Sequence, residues 1–197
     1  RIASLKRGAM PYYEPGLEEL VARGVRERRL SFSTSLKEGV TKSTIIFIAV
    51  GTPQKATGEA DLAYVETVAR GIAECMPGYR LVVEKSTVPV QTGQWVKHTI
   101  KTYLKRRKVS FDVASNPEFL REGTAIADTL KPDRVVLGVE SKRAKDLLTE
   151  LYRPQNSTLV FTDMNSAELI KHASNSFLSM KISFINAVAQ VCERSGA

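Results

Sequence analysis

The sequence predicts an α/β fold, in which a doubly wound parallel sheet is followed by one long helix. Apolar segments of strand length alternate with helical patterns at roughly 30-residue intervals, the repeat of a strand–helix–strand unit. Residues 45–50 are continuously apolar, as in a parallel strand that helices cover on both faces. From residue 165 no helix breaker occurs before Gly196. These observations predict an open sheet whose helices lie on both sides.

The elements can be assigned in order along the chain. We predict a first helix over residues 15–28, since Pro15 suits a first turn and apolar residues recur on one face. Strands are predicted at 30–32, 45–50, 81–83, 109–114, 134–138 and 158–161. Further helices are predicted at 36–40, 61–75, 92–105 and 141–152. Asp61 is the expected cap of the helix over 61–75.

The last predicted helix is the longest. It begins near residue 165, where Asn165 and Glu168 have the spacing of a capping box. It would extend over about 30 residues, or ~45 Å at 1.5 Å per residue. A helix of that length predicts a link between two domains. We therefore divide the chain into a Rossmann-like sheet domain at 1–163 and the start of a helical domain at 164–197.

Composition restricts the class of protein. A hydrophobic fraction of 43% and a charged fraction of 25% are ordinary for a globular domain. No apolar run reaches ~18 residues, so no membrane span is expected. The two cysteines, Cys75 and Cys192, lie in helical patterns, which favours a reducing, cytoplasmic location over a disulfide scaffold. No metal site is predicted.

The net charge of +8 raises the question of nucleic-acid binding. The basic residues cluster at 23–29 and 101–108, near the ends of predicted helices, where cations suit the helix dipole. No aromatic residues are interleaved with these clusters, and no nucleic-acid-binding motif occurs. We therefore interpret them as solvated helix ends and expect no nucleic-acid partner, while an acidic small molecule such as a nucleotide remains compatible.

Polar groups follow three of the predicted strands. They are Gly51-Thr52-Pro53, Ser86-Thr87, and the loop that starts at Asn116-Pro117-Glu118. Because successive parallel strands end at the same edge of a sheet, these groups should line one crevice. Each alone has a structural alternative: the first can be a simple turn, and the second can cap the next helix.

The long helix carries a polar turn followed by an apolar stripe. Lys171 and Asn175 are four residues apart and share a face, which Leu178 and Ile182 continue. This pattern predicts a helix that leaves a wet cavity for an apolar core. The alternative is that Lys171 is a surface lysine paired with Glu168.

One expected part of a nucleotide-binding domain is missing. Such a domain normally begins with a unit made of a strand, a glycine-rich turn and a helix. That opening unit does not occur in these 197 residues. We therefore expect an incomplete doubly wound sheet that belongs to the middle of a longer polypeptide. The strand at 45–50 should then have a bare edge, which invites pairing with another chain.

The sequence resembles the UDP-glucose/GDP-mannose dehydrogenase family. The matching segments run in the family's order over nearly the whole chain, at residues 13–17, 51–53, 84–90, 115–128, 132–138 and 167–186. The resemblance implies NAD-dependent oxidation of a sugar primary alcohol to a carboxylate, through thiohemiacetal and thioester intermediates on a cysteine. The segments at 119–123 and 132–134 are more similar to the branch that acts on UDP-glucose, while GDP-mannose and UDP-N-acetylmannosamine remain alternatives.

The resemblance also implies roles for individual residues. It places NAD along Gly51, Thr52, Pro53, Ser86, Thr87 and Glu122. It assigns the sugar nucleotide to Glu118, Phe119, Leu120, Arg121, Glu122, Lys171 and Asn175. In the reaction, Glu118 would act as a general base toward water that Thr87 positions. Lys171 and Asn175 would stabilise the oxyanion at the reacting carbon.

The chain departs from the family pattern at several points. The family's glycine-rich turn would precede Arg1, and its cysteine motif would follow Ala197; neither Cys75 nor Cys192 has that motif's context. Gln91 stands where a glycine usually follows Val-Pro-Val. We therefore expect no turnover from these residues alone, and a homodimer or larger assembly of the full-length protein. The alternative from another class is a non-catalytic dimerisation module derived from this family.

Overall fold

The computed structural model describes all 197 residues and contains one five-stranded sheet in the order β1-β2-β3-β4-β5. The strands are β1 Ile45–Ile48, β2 Arg80–Glu84, β3 Phe111–Ser115, β4 Arg134–Gly138 and β5 Thr158–Thr162. The α-helices are α1 Ile2–Lys6, α2 Leu17–Arg26, α3 Leu36–Lys42, α4 Ala63–Cys75, α5 Thr92–Leu104, α6 Ala125–Leu130, α7 Lys142–Tyr152 and α8 Met164–Ser195. The predicted α/β fold with a long final helix is confirmed.

Two apolar clusters, one on each face of the sheet, form the core. On one face α4 and α5 cover β1, β2 and β3, with Ile72 and Ile100 fully buried. On the other face α7 packs on the sheet through Ala144 and Leu148. Helices on both faces explain why the buried strands are apolar on both sides. β1 pairs only with β2 and is therefore an edge strand, as predicted.

The last two strands run opposite to the first three. β1, β2 and β3 are parallel, whereas β4 is antiparallel to β3, with Ser115 opposite Gly138. β5 is parallel to β4. The prediction of an entirely parallel sheet is therefore wrong for β4 and β5. The connection after β3 contains only the six-residue α6, which buries no residue, so no helix returns the chain across a face of the sheet.

The predicted strand at 30–32 is also wrong. Leu30 follows the end of α2, and its backbone N–H donates to the carbonyl of Gly24 at 3.0 Å. Its side chain packs directly on Gly24, so the segment terminates the helix instead of joining the sheet. The short helices α1 and α6 were not predicted.

The helix α8 is confirmed, but its predicted capping box is not. Asp163 is the cap, since its carboxylate accepts a hydrogen bond from the Ser166 N–H at 2.9 Å. Glu168, which the capping box would use, binds α5 instead. The helix continues for 32 residues to Gly196, which adopts the left-handed conformation of a helix end.

The two parts of α8 have different surroundings. All of its buried residues lie between Met164 and Lys171. Beyond them several large apolar side chains are more than half exposed: Phe177, Leu178, Met180, Ile182, Phe184 and Ile185. No helix in the protein combines the length and apolar character that crossing a membrane requires.

Candidate active site at the carboxyl edge of the sheet

The carboxyl ends of β1, β2 and β3 meet through direct hydrogen bonds. The Thr52 hydroxyl donates to the Thr87 carbonyl at 2.8 Å, which joins the segments after β1 and β2. The Asn116 N–H donates to the Glu84 carbonyl at 2.8 Å, which joins the segments after β2 and β3. The three polar segments therefore form one continuous edge, as their order in the sequence predicted.

The loop after β3 reaches α8 through an ion pair. The ammonium of Lys171 lies 3.0 Å from a carboxylate oxygen of Glu118. The Lys171 side chain is 8% exposed, whereas that of Glu118 is 33% exposed. The alternative of a surface lysine paired with Glu168 is therefore wrong. The pair places a cation and a carboxylate at the rim of the sheet, with the carboxylate accessible to solvent.

Several groups act on the charge of Glu118. Partial burial raises its pKa, but the Leu120 N–H, which donates to the carboxylate at 2.6 Å, and the charges of Lys171 and Lys85 lower it. The net effect is a pKa below the ordinary value of a glutamate. Glu118 is thus held as a carboxylate, the form that can accept a proton.

Lys85 and Asn116 belong to the same cluster; the sequence analysis placed Asn116 among the polar groups at the sheet edge and gave Lys85 no role. Asn116 is fully buried; its amide donates to the Val136 carbonyl at 3.0 Å and its oxygen accepts from the hydroxyl of Tyr152. The ammonium of Lys85 donates to the same Asn116 oxygen at 3.2 Å. The one available signal was a lysine at the end of an otherwise apolar strand, because lysine is rarely buried.

Two further carboxylates are buried beneath this edge. Glu168 accepts hydrogen bonds from the N–H groups of Gln91 and Gly93, both at 2.7 Å, and so ties α8 to the start of α5. Glu84 accepts from the Ser86 N–H at 2.8 Å, while its second oxygen has no partner. Burial, with a smaller effect from the nearby Glu168, raises the pKa of Glu84 to about 7. The sequence analysis missed Glu84 and assigned Glu168 to a capping box or to a pair with Lys171 instead.

The remaining residues of the loop have distinct surroundings. The Phe119 ring lies 5.3 Å from the ammonium of Lys171, within cation–π range. Arg121 is exposed and pairs with Asp128 at 2.7 Å. Leu120 and Glu122 are exposed. The carboxylate of Glu14 binds the backbone at Gly123 and Ala125 and thereby anchors the end of the loop.

Other sequence-predicted residues lie near the edge without contacting the ion pair. Asn175 is exposed one turn beyond Lys171, and its side chain makes no hydrogen bond to the ion pair. Thr87 and Ser86 are half-buried, and Pro53 is exposed. Cys75 ends α4, and Cys192 lies in the last turns of α8, so neither cysteine belongs to the cluster.

The end of β1 leaves open space beside two hydroxyl side chains. Gly51 has no left-handed φ, and an added Cβ would meet no atom within 4 Å, so the fold itself does not require a glycine there. That space is open to a ligand, beside the hydroxyls of Thr52 and Ser86. Ligands of open α/β sheets bind at this carboxyl edge, so the space is suitably located for part of a cofactor.

Comparisons with known proteins agree with this geometry. Residues 1–156 match the NAD binding domain of the UDP-glucose/GDP-mannose dehydrogenase family, and residues 165–197 match its central domain. Two curated relatives are the UDP-glucose 6-dehydrogenase TuaD of Bacillus subtilis and a UDP-glucose 6-dehydrogenase of Rhizobium meliloti. Each is 50% identical to this chain over its full length. The chain covers 42% and 46% of those two proteins, which is less than half of their length.

Solved structures give the same result. A UDP-glucose dehydrogenase from Pyrobaculum islandicum has a TM-score of 0.91 and 43% identity, over 95% of this chain and 44% of that one. A GDP-mannose dehydrogenase from Pseudomonas aeruginosa has a TM-score of 0.89 and 38% identity, over 94% of this chain and 44% of that one. The resemblance stated from the sequence is confirmed. The protein belongs to the UDP-glucose/GDP-mannose dehydrogenase family.

Proposed function

We propose that the protein oxidises the primary alcohol of the glucose in UDP-glucose to a carboxylate, giving UDP-glucuronate. The observation that carries the proposal is the Lys171–Glu118 ion pair beside the carboxyl edge of the sheet. An alcohol becomes a carboxylate by loss of two hydrides and addition of one water oxygen. When bound, NAD supplies the hydride acceptor in each of the two steps.

Lys171 is proposed to stabilise negative charge on the reacting oxygen. Its ammonium lies on a rigid helix and is nearly excluded from water, where a fixed cation stabilises an oxyanion more than it does in bulk solvent. Asn175, one turn further along, is proposed as a second donor to the same oxygen. The sugar nucleotide then lies along Glu118, Phe119, Leu120, Arg121, Glu122, Lys171 and Asn175.

Glu118 is proposed to be the general base for the hydrolytic water. Its lowered pKa keeps it ionised at neutral pH, and a third of its side chain is accessible. Thr87, whose half-buried side chain lies after β2, is proposed to position that water. NAD is proposed to lie along Gly51, Thr52, Pro53, Ser86, Thr87 and Glu122.

The covalent steps are proposed to use a cysteine that these 197 residues do not contain. A thiolate would add to the aldehyde to give a thiohemiacetal, and loss of the second hydride would give a thioester. Water would then release the carboxylate and return the thiol. Neither Cys75 nor Cys192 lies at the edge of the sheet, so we expect these residues alone to show no turnover.

We also propose that the full-length protein is a cytoplasmic homodimer or larger assembly. Two widely separated free thiols suit a reducing compartment. The support for self-association is the apolar half of α8, where Phe184 is 68% and Ile182 is 61% exposed. Contiguous apolar surface of this kind marks an interface.

The direct test is the oxidation of UDP-glucose by the complete gene product. We expect two NADH for each UDP-glucose consumed, measured by absorbance together with chromatography of the product. Turnover of GDP-mannose or UDP-N-acetylmannosamine in preference to UDP-glucose would overturn the substrate assignment. A protein that reduces no NAD with any of the three would support the non-catalytic dimerisation module.

A further inference from the structure

Lys85 is a lysine of the candidate site whose ammonium contacts no carboxylate. It follows the last residue of β2, and its ammonium donates to the side-chain oxygen of Asn116 at 3.2 Å and to the Asn116 carbonyl at 3.4 Å. No acidic oxygen lies within ion-pair distance of it. The direct partners of this ammonium are therefore neutral oxygens of Asn116.

The neighbours hold Lys85 in one orientation. Asn116 is locked between the Val136 carbonyl and the Tyr152 hydroxyl, and burial raises the pKa of Tyr152 to about 12, so its hydroxyl remains a donor. The acceptor that faces Lys85 is therefore fixed by a buried network. Such a network specifies a position, because rotating any member leaves a buried polar group unpaired.

The charges around Lys85 are unequal. From the loop after β3 it faces Glu118, and from α8 it faces Lys171; both act on its charge, in opposite directions. Burial has the largest effect and lowers the pKa of Lys85. Beneath the edge lie Glu84, which is largely protonated below pH 7, and Glu168, whose carboxylate is occupied by two N–H donors. Two lysines, Lys85 and Lys171, thus act on one partly exposed carboxylate, that of Glu118.

The second lysine matters when a substrate is bound. On the proposed function, Lys171 turns toward the oxyanion that forms at the reacting carbon, and its interaction with Glu118 weakens. We propose that Lys85 is a positioning residue that keeps Glu118 ionised and in place while Lys171 is engaged with the substrate oxygen. Lys85 acts through Glu118 and does not itself touch the reacting atoms.

The test compares Lys85→Met and Lys85→Arg in the complete gene product, with Lys97→Met as the matched control. Lys97 is an exposed lysine of α5 that pairs with Glu140. We expect Lys85→Met to move the acidic limb of the kcat/KM profile upward by about one pH unit. A nearby positive charge lowers the pKa of a carboxyl group by about that amount, and the substitution removes this charge. Lys85→Arg should restore the limb, and Lys97→Met should leave it unchanged. A uniform fall in kcat with no movement of the limb would overturn the proposal.

A second measurement separates this proposal from the proposed function. The carboxyl carbon of Glu118 can be followed by NMR in the ligand-free protein, and assigned through Glu118→Gln. We expect its titration midpoint to rise in Lys85→Met and to return in Lys85→Arg. An unchanged midpoint would overturn the role of Lys85, whatever the activity. A raised midpoint in a protein that does not oxidise UDP-glucose would refute the proposed function and retain the electrostatic link. If Lys85→Met does not fold, Lys85→Gln replaces it in both measurements.

Discussion

The two parts of α8 reverse the usual distribution of polar and apolar residues. Its first turns bury two ionisable residues, Glu168 and Lys171, whereas its later turns expose large apolar side chains such as Phe184. Burying a charge is unfavourable unless it is paired, and both are paired: Lys171 with Glu118, and Glu168 with two backbone N–H groups. The comparison shows that the first part is fixed to the sheet edge by its buried charged side chains, and that the second part presents an exposed apolar surface, which we propose as an interface.

The largest effect is expected when one lysine in each part of α8 is replaced by methionine. Lys171→Met should lower kcat about 100- to 1000-fold, because a preorganised cation at the oxyanion is lost. Lys181→Met, in the exposed part, should leave kcat within about twofold. Steady-state NADH formation by the complete gene product measures both. Equal losses in the two variants would show that the buried lysine has no special role.

The next largest effect concerns the pH dependence of stability. Glu84 has a folded pKa of about 7 against an ordinary value of 4.5, so its contribution is fully present below pH ~4.5 and is lost as pH rises through 7. The shift corresponds to about 3 kcal/mol of unfolding free energy. Glu84→Gln should therefore be more stable than the wild type at pH 8 and no more stable at pH 5. Urea unfolding at both values measures this, and a pH-independent difference would contradict the assignment.

A smaller loss is expected when the tie between α8 and α5 is cut. In Glu168→Gln an amide N–H₂ must face one of the two backbone donors, which should lower the unfolding free energy by about 2 kcal/mol. The matched control is Glu193→Gln, in the exposed part of the same helix, with an expected change below about 0.5 kcal/mol. Denaturant unfolding measures both. If the two substitutions cost the same, Glu168 does not join the helices.

A substitution in the exposed apolar part of α8 should have the smallest effect on folding. Its effect on assembly should be large. Phe184→Asp should change the unfolding free energy of the isolated subunit by less than about 0.5 kcal/mol, because the side chain is 68% exposed. It should convert the dimer to a monomer, measured by light scattering after gel filtration. A dimer that persists would place the interface elsewhere.

Local patterns were enough to predict much of the fold. The apolar run at 45–50, the helical periodicity of α4 and α5, and the unbroken α8 are properties of neighbouring residues, and all three are confirmed. The reversal of β4 was not predictable, because it depends on how a six-residue helix is placed after β3. Asn165 was predicted as the start of α8 because Glu168 completed a local capping-box pattern, which tertiary contacts override; the cap is Asp163.

The candidate site was harder to predict from the sequence than the fold was. Glu118 and Lys171 are 53 residues apart, and only the family resemblance connected them before the structure did. Lys85 and Glu84 were missed, and Glu168 was assigned to the wrong partners, because their roles arise from burial and from contacts across the sheet edge. When the role of a residue depends on the charges around it, that role cannot be predicted from sequence spacing or composition.

The central claim is that Lys171 and Glu118 act as one unit. A double-mutant cycle of Lys171→Met and Glu118→Gln on kcat/KM tests it most directly. We predict that the double variant is no more than about tenfold worse than the poorer single variant, because each single change already disables the pair. Losses that multiply, so that the double variant shows the product of the two single effects, would contradict the account.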